Sequence, residues 1–318
     1  MSLSWLLISI FTIVELNCEN LFDCVDDSLK QDEQFLPESD YHWTRTRYWN
    51  KLNRIGQTIL SCGEAGDSWA LPDLVALCEV ENDSCLVDLT KRSLLRKARY
   101  EYIMTDSPDE RGIDVALLYS PFSFQPILHY SIRVNPVKDM RPTRDILYVS
   151  GLVDKGDTLH VFVVHAPSRT GGEQQTRAHR RQVANRLTAS VDSLNALTAH
   201  PRILITGDFN DYSSDENIEL LVRNGMIDVS EKAIGSHGAK GTYRYRGEWG
   251  SLDHIMISEG MYPFLLDCRV HDAPFLLKED EKYGGVQPFR NYLGPRYQNG
   301  FSDHLPLVAR LRWENERQ

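Results

Sequence analysis

Short apolar runs in this chain keep ending on the same few kinds of polar residue, and that pattern constrains the fold more than any other feature. LVALCE ends on Glu79, VFVVH ends on His165, and ILITGDFN delivers Asp208 and Asn210. Asn17 closes the first run, and Arg111-Gly112-Ile113-Asp114 opens another. SLDHIMIS carries Asp253 near its start, and FSDHLPLVARL sets Asp303 and His304 just before the last run. Apolar runs of roughly four to eight residues read as buried strands. Charged groups rarely sit beside buried strands unless they are paired or hold a metal. Each ending has a plain structural reading when taken singly. Glu79 is then a turn residue, Asp208 an Asx turn, His165 a satisfied core histidine and Asp303-His304 a turn cap. Together, six such endings with carboxylate, amide and imidazole chemistry are much harder to dismiss as unrelated turns.

Two stretches repeat at helical spacing: Tyr48, Leu52, Ile55 and Ile59, and then Val183, Leu187, Val191, Leu194 and Leu197. The second follows Gly171-Gly172 and carries Arg177, Arg180, Arg181 and Arg186, which read as a solvated face. Many strands with few long helices predict two sheets covered by helices, not a regular βαβ alternation. No repeat, low-complexity stretch or Ser/Gly linker divides the 318 residues. A single domain over 1–318 is therefore expected, with 1–7 an added sequence or the remnant of an export signal. Residues 272–300 crowd Pro, Gly, Tyr and Arg without periodicity, the mark of a long functional loop.

Composition limits the function. Thirty-five Lys and Arg against 45 Asp and Glu leave a formal charge of −10. That surplus argues against a tight, salt-dependent grip on nucleic acid, which needs Lys and Arg to neutralise phosphates. The six cysteines include no CxxC pair, so neither a disulfide scaffold nor a zinc cluster is indicated. Residues 3–14 carry no charge but are too few to span a bilayer, and Ile8 to Asn17 reads as a buried strand. No stable membrane insertion is expected. The compartment stays open between the cytoplasm and export.

In order along the chain, NCENLF, CEVEN, RGIDVALLY, HAPSR, GDFND, SLDHIMIS and FSDHLPL resemble the endonuclease/exonuclease/phosphatase superfamily, the DNase I-like metal-dependent phosphoesterases. The likeness runs from about residue 10 to 312, and PSRTGGE with PFRNYLGPRYQNGFSDH resembles a bacterial branch. One departure is visible. Many bacterial relatives have an Asn before the histidine and an aromatic after it, whereas Val164 and Ala166 flank His165.

The resemblance implies an α/β fold, the DNase I-like four-layered α/β sandwich of two packed sheets flanked by helices. It implies in-line hydrolysis of a phosphoester by an activated water, in a phosphodiesterase or a phosphatase. Hard oxygen ligands favour Mg²⁺ or Mn²⁺, and one ion or two stays open. By the same resemblance Glu79 is the principal metal ligand, with Asn17 orienting the ion and Asp303 contributing. Asp208 and Asn210 orient the water, His304 pairs with Asp253, and His165 donates to a phosphoryl or leaving oxygen. Either the His304–Asp253 pair or Asp208 is the general base. Asp114, placed on the substrate side, would help orient a site histidine; Arg144, Arg169 and Arg290 sit in loops near motif residues, where a guanidinium suits substrate phosphate but an ordinary surface role is the plainer reading. The substrate is a phosphorylated small molecule or a nucleic acid, taken by a monomer. Tyr243-Arg244-Tyr245-Arg246, or Arg290, Tyr292, Arg296 and Tyr297, would edge a nucleic-acid groove. The alternatives are a nuclease and a catalytically silent binding module of the same fold.

Overall fold

The computed structural model describes residues 9–66, 68–153 and 156–313, so the expectation for 1–7 lies outside the described residues. The principal strands, in chain order, are β1 Ser9–Leu21, β2 Leu74–Val80, β3 Glu101–Met104, β4 Asp114–Tyr119, β5 Phe124–Ile132 and β6 Ile146–Val153. They continue with β7 Asp157–His165, β8 Arg202–Asp208, β9 Met226–Asp228, β10 Asp253–Ser258, β11 Leu265–Val270 and β12 Leu307–Trp313. They form two six-stranded sheets, ordered β11-β12-β1-β2-β4-β3 and β9-β10-β8-β7-β6-β5. Each has a parallel pair near its middle, β1 with β2 and β7 with β8, and every other neighbour pairs antiparallel.

Side chains alternate across a strand, and here both faces are apolar because both are covered. Ile13, Ala76, Val161 and Leu204 point into a core shared by the two sheets. Their neighbours Val14, Val75 and Leu77 face helix α1 (Arg45–Ser61), packing on its Leu52, Ile55 and Ile59. Phe162, Ile203 and Ile205 face the other way, onto Val183, Leu187 and Val191. The short helix α2 (Asp83–Val87) follows β2, α3 (Glu173–Leu197) follows β7 and α4 (Glu216–Arg223) follows β8. The layers run α1, first sheet, second sheet, α3 with α4: the expected four-layered sandwich.

Three expectations need correcting. Arg180 is not part of a solvated face: it is 1% exposed and paired with Asp211 at 2.6 Å. Leu197, counted on the apolar face of α3, is exposed at the end of the helix. Residues 272–300 are no structureless loop, because two small hairpins, Leu277–Glu279 with Val286–Pro288 and Tyr292–Leu293 with Arg296–Tyr297, organise them.

Candidate active site

Strand parity explains why the site exists. Residues that share the face of Ile13, Val161 and Leu204 turn into the space between the sheets, and at the strand ends that face reads Glu15 and Asn17 on β1, His165 on β7 and Asp208 on β8. His165 and Asp208 are register partners across the parallel pair, and Asp208 lies opposite Asp253 of antiparallel β10. Parity alone would send Glu79 the other way, since its neighbour Cys78 faces the shared core. A register irregularity between Cys78 and Val80, with Glu79 at φ 62°, re-aims the carboxylate. Gly207, at φ 141°, lets β8 pass so close to β7 that a Cβ would lie 1.9 Å from the Val164 carbonyl oxygen.

The geometry joins most of the expected residues. Asn17 Nδ2 donates to Asp208 Oδ2 at 3.0 Å, and the backbone N–H of Asn210 donates to Asp208 Oδ1 at 2.8 Å. Asp208 is therefore both an Asx turn and a member of the cluster. The Asn210 side chain donates to the Ala166 carbonyl at 3.1 Å, tying the GDFND turn to the residue after His165. His165 Nε2 lies 3.8 Å from Glu79 Oε1 and 3.7 Å from Asp208 Oδ2. His304 Nδ1 is 2.7 Å from Asp253 Oδ2, which also accepts from the Thr242 hydroxyl. Tyr243 packs its ring 4.9 Å from the imidazole of His304. Asp303 is paired with Arg290 at 2.5 Å.

Four residues have other surroundings than a substrate contact. Asp114 accepts from the Thr105 and Ser107 hydroxyls, not from a histidine. Arg144 is buried, paired with Asp109 at 3.2 Å, and donates to the Ala166 carbonyl at 2.7 Å, so it braces the His165 loop. Arg169 reaches Asp215 at 2.9 Å and lies over the Tyr212 ring. Arg244, in the stretch read as a nucleic-acid edge, is used internally by Asp280 and by the carbonyls of Gly247 and Gly284.

The electrostatics are those of crowded acids. Burial first, and then Asp253, raises Asp208 to about 7. Burial opposes charge on His304, but Asp253, Asp208 and Asp303 outweigh it and hold the imidazole well above its ordinary value. His165 moves the other way: burial, with Arg144 and Arg111 nearby, keeps it neutral. Glu19 is raised to about 7 by burial and by Asp303. The fully buried Lys51 of α1 is drawn on by Glu19, Asp303 and Glu79, though burial still lowers its value. Glu15 is wholly buried, and burial first, then Asp253 and Asp208, raises it well above its ordinary value.

The donor set fits a hard cation. Asp208 and Asp253 bring buried carboxylate oxygens within 4.8 Å of each other, with His304 against them, and Glu79 Oε1 stands nearby beside His165. Crowded carboxylates whose proton affinity burial has raised are stabilised when a divalent ion shares their space.

A sequence model of the Endonuclease/Exonuclease/phosphatase family matches residues 12–313. The chain belongs to that family. By class it is a hydrolase of phosphoric esters. No curated protein sequence matches it. Its fold is similar to that of an endonuclease/exonuclease/phosphatase family protein from Bacteroides thetaiotaomicron, at TM-score 0.63 and 16% identity, covering 96% of this chain and 98% of that one. A mannosyl-6-phosphatase from the same organism gives TM-score 0.61 at 16% identity over 95% and 100%. TDP2 from C. elegans gives 0.58 at 15% identity over 96% and 75%. At such identities the likeness concerns the fold.

Reasoning from sequence missed Glu15, Glu19, Lys51, Arg111 and Thr242 as members of this region, and it read Tyr243 only as one edge of a nucleic-acid groove. Glu19 and Arg111 stand inside motifs quoted for the family, NCENLF and RGIDVALLY, so their position was the available signal. Lys51 lies on the buried side of α1 between Tyr48 and Leu52, where a charge at an apolar position was the clue.

Proposed function

We propose that this protein hydrolyses a small phosphorylated substrate by in-line attack of water, with a divalent cation, Mg²⁺ or Mn²⁺, as cofactor. The observation that carries the reading is the convergence of Asp208, Asp253 and His304 with Glu79 and His165 at the ends of strands from both sheets. Glu79 would hold the ion beside Asp208, to which Asn17 is bonded, with Asp303 as a further carboxylate, and the ion would supply neutralising charge to the phosphoryl oxygens. Asp208, fixed by Asn17 and the Asn210 amide, is placed to accept a proton from the attacking water. His304 is protonated beside Asp253 and serves better as a cation facing phosphoryl charge than as a base. His165 is neutral and can donate a hydrogen bond from Nε2 to a phosphoryl or leaving oxygen. The Asn210 side chain and Arg144 both hold the Ala166 carbonyl, which fixes the backbone beside His165.

The test is hydrolysis of p-nitrophenyl phosphate and bis(p-nitrophenyl) phosphate. Excess EDTA should abolish turnover and Mg²⁺ should restore it, and His304→Ala should cost about 10³-fold or more in kcat, the scale of other core catalytic deletions. Turnover that persists in chelator would overturn the metal reading. A His304→Ala loss below about tenfold would remove that residue from the chemistry.

A further inference from the structure

Beside the acid cluster lies a cavity of about 370 Å³ lined by the Asp303–Arg290 ion pair and by Asn20 with Arg111. Tyr41, Tyr292 and Asn291 line it as well. We propose that this cavity is the leaving-group pocket, built to hold the polyhydroxylated part of a small phosphomonoester such as a sugar phosphate. The inference rests on the phosphoester-hydrolase reading above and adds the substrate class to it.

Three observations carry it. First, Asn291 is only 2% exposed, yet its side-chain amide has no hydrogen-bond partner among the described residues. Its backbone is spoken for, since the N–H donates to Glu19 and the carbonyl accepts from Gln298. Asn291 lines the cavity, so an amide that no protein group engages is open there to a ligand. One carbonyl oxygen and an NH₂ together suit a hydroxyl pair, each hydroxyl donating and accepting.

Second, Arg111 is half-buried and makes no ion pair among the described residues. Its guanidinium donates to the Asn20 side chain, and the Asn20 backbone N–H donates to Glu79 Oε2 at 2.8 Å. Arg111 is also close enough to His165 to help keep that imidazole neutral. A guanidinium beside the reaction centre and not used by a carboxylate is suited to a phosphoryl group. It marks the end of the cavity where the phosphate would lie.

Third, the wall is aromatic. Tyr41 and Tyr292 meet edge to face with ring centroids 4.7 Å apart, locked by a hydrogen bond from the Tyr292 hydroxyl to the Tyr41 carbonyl at 2.9 Å. Such a rigid apolar face packs against the C–H side of a sugar ring while polar groups opposite take its hydroxyls. The volume lies near the lower end of the roughly 300–1,000 Å³ found for small-molecule sites. It holds a monosaccharide-sized group, whereas a polynucleotide needs a cationic groove that continues along the strand.

The experiment compares kcat/KM with Mg²⁺ for a hexose 6-phosphate, p-nitrophenyl phosphate and a dinucleotide, in the wild type, Asn291→Leu and Arg111→Gln. The wild type should prefer the hexose phosphate over the dinucleotide by at least tenfold. Asn291→Leu should lower the hexose phosphate to p-nitrophenyl phosphate ratio at least tenfold, mostly through KM. Arg111→Gln should weaken all the monoesters. Thermal melting of each variant checks its fold, and free hexose should inhibit the wild type more strongly than Asn291→Leu. Cleavage of p-nitrophenyl phosphate with no preference for the hexose ester, or an unchanged ratio in Asn291→Leu, overturns the pocket assignment alone. No cleavage of any ester removes the hydrolase reading and the pocket with it.

Discussion

His254 shows how a residue beside the site sets the conditions under which the site survives. It is fully buried, its Nδ1 is 2.9 Å from Asp228 Oδ2, and its Nε2 lies 2.9 Å from the Asp211 carbonyl oxygen. Burial opposes its charge, but Asp228 outweighs that and pushes it up to about 9. Asp228 is held down to about 2, burial again being outweighed, here by His254. An unfolded histidine titrates near 6.5. The stability contributed by His254 is therefore fully present below about pH 6.5 and is lost as pH rises through about 9. On the acid side, the Asp228 share is present above about pH 4 and fades as pH falls toward 2. The pair is counted once, and its size is of order a few kcal/mol. Melting curves of the wild type and Asp228→Asn should differ most between about pH 5 and 6.5, and the gap should narrow by pH 10. A gap independent of pH would show that the pair does not govern this window.

At the scale of elements, the ends of strands were legible in the sequence and the burial of charge was not. An apolar run followed by Glu79, His165 or Asp208 can be read directly, because the period of a strand says where the run stops. Arg180 could not be read that way. Its neighbours Arg177, Arg181 and Arg186 are the ordinary dress of a solvated helix, and only the approach of the turn after β8 brings Asp211 against it. The Arg180 side chain also bonds Thr176, while Asp211 accepts from Asn217 of α4, so α3, α4 and the turn after Asn210 are tied together. Glu15 was illegible for the same reason, since its burial depends on which distant segments cover it, and for Lys51 the sequence offered only a charge at an apolar helix position, not the acids it meets. Arg180→Met should cost about 3–5 kcal/mol by stranding Asp211, seen as a lowered denaturation midpoint with a fall in kcat. Arg180→Met with Asp211→Leu should recover part of the stability but not the activity. If the single variant is as stable as the wild type, the pair is not a brace for the turn.

For the whole molecule, the charge of −10 is partly an account of the interior. Glu15, Glu19, Asp208, Asp253 and Asp303 lie in or against the site, and burial raises the first three toward neutrality. The remaining surplus still disfavours long polyanions, in keeping with a compact pocket. Both sheets contribute to one core, where Ile13 and Ala76 meet Val161, Leu204 and Ile255. Neither sheet can lose its partner without exposing that face, so urea unfolding should be a single transition. Tryptophan fluorescence and far-UV circular dichroism should coincide; separated midpoints would divide the chain into two folding units. β12 lies between β11 and β1, pairing with Ser9–Glu15 in the first sheet, and it follows directly on Asp303 and His304. During synthesis on the ribosome, β1 must wait for nearly three hundred residues (Leu307 and beyond) to emerge before its edge is closed. The same moment delivers His304 to Asp253. A nascent chain therefore holds Glu79, Asp208 and Asp253 before it holds Asp303 and His304, and the cluster is complete only as the first sheet is sealed.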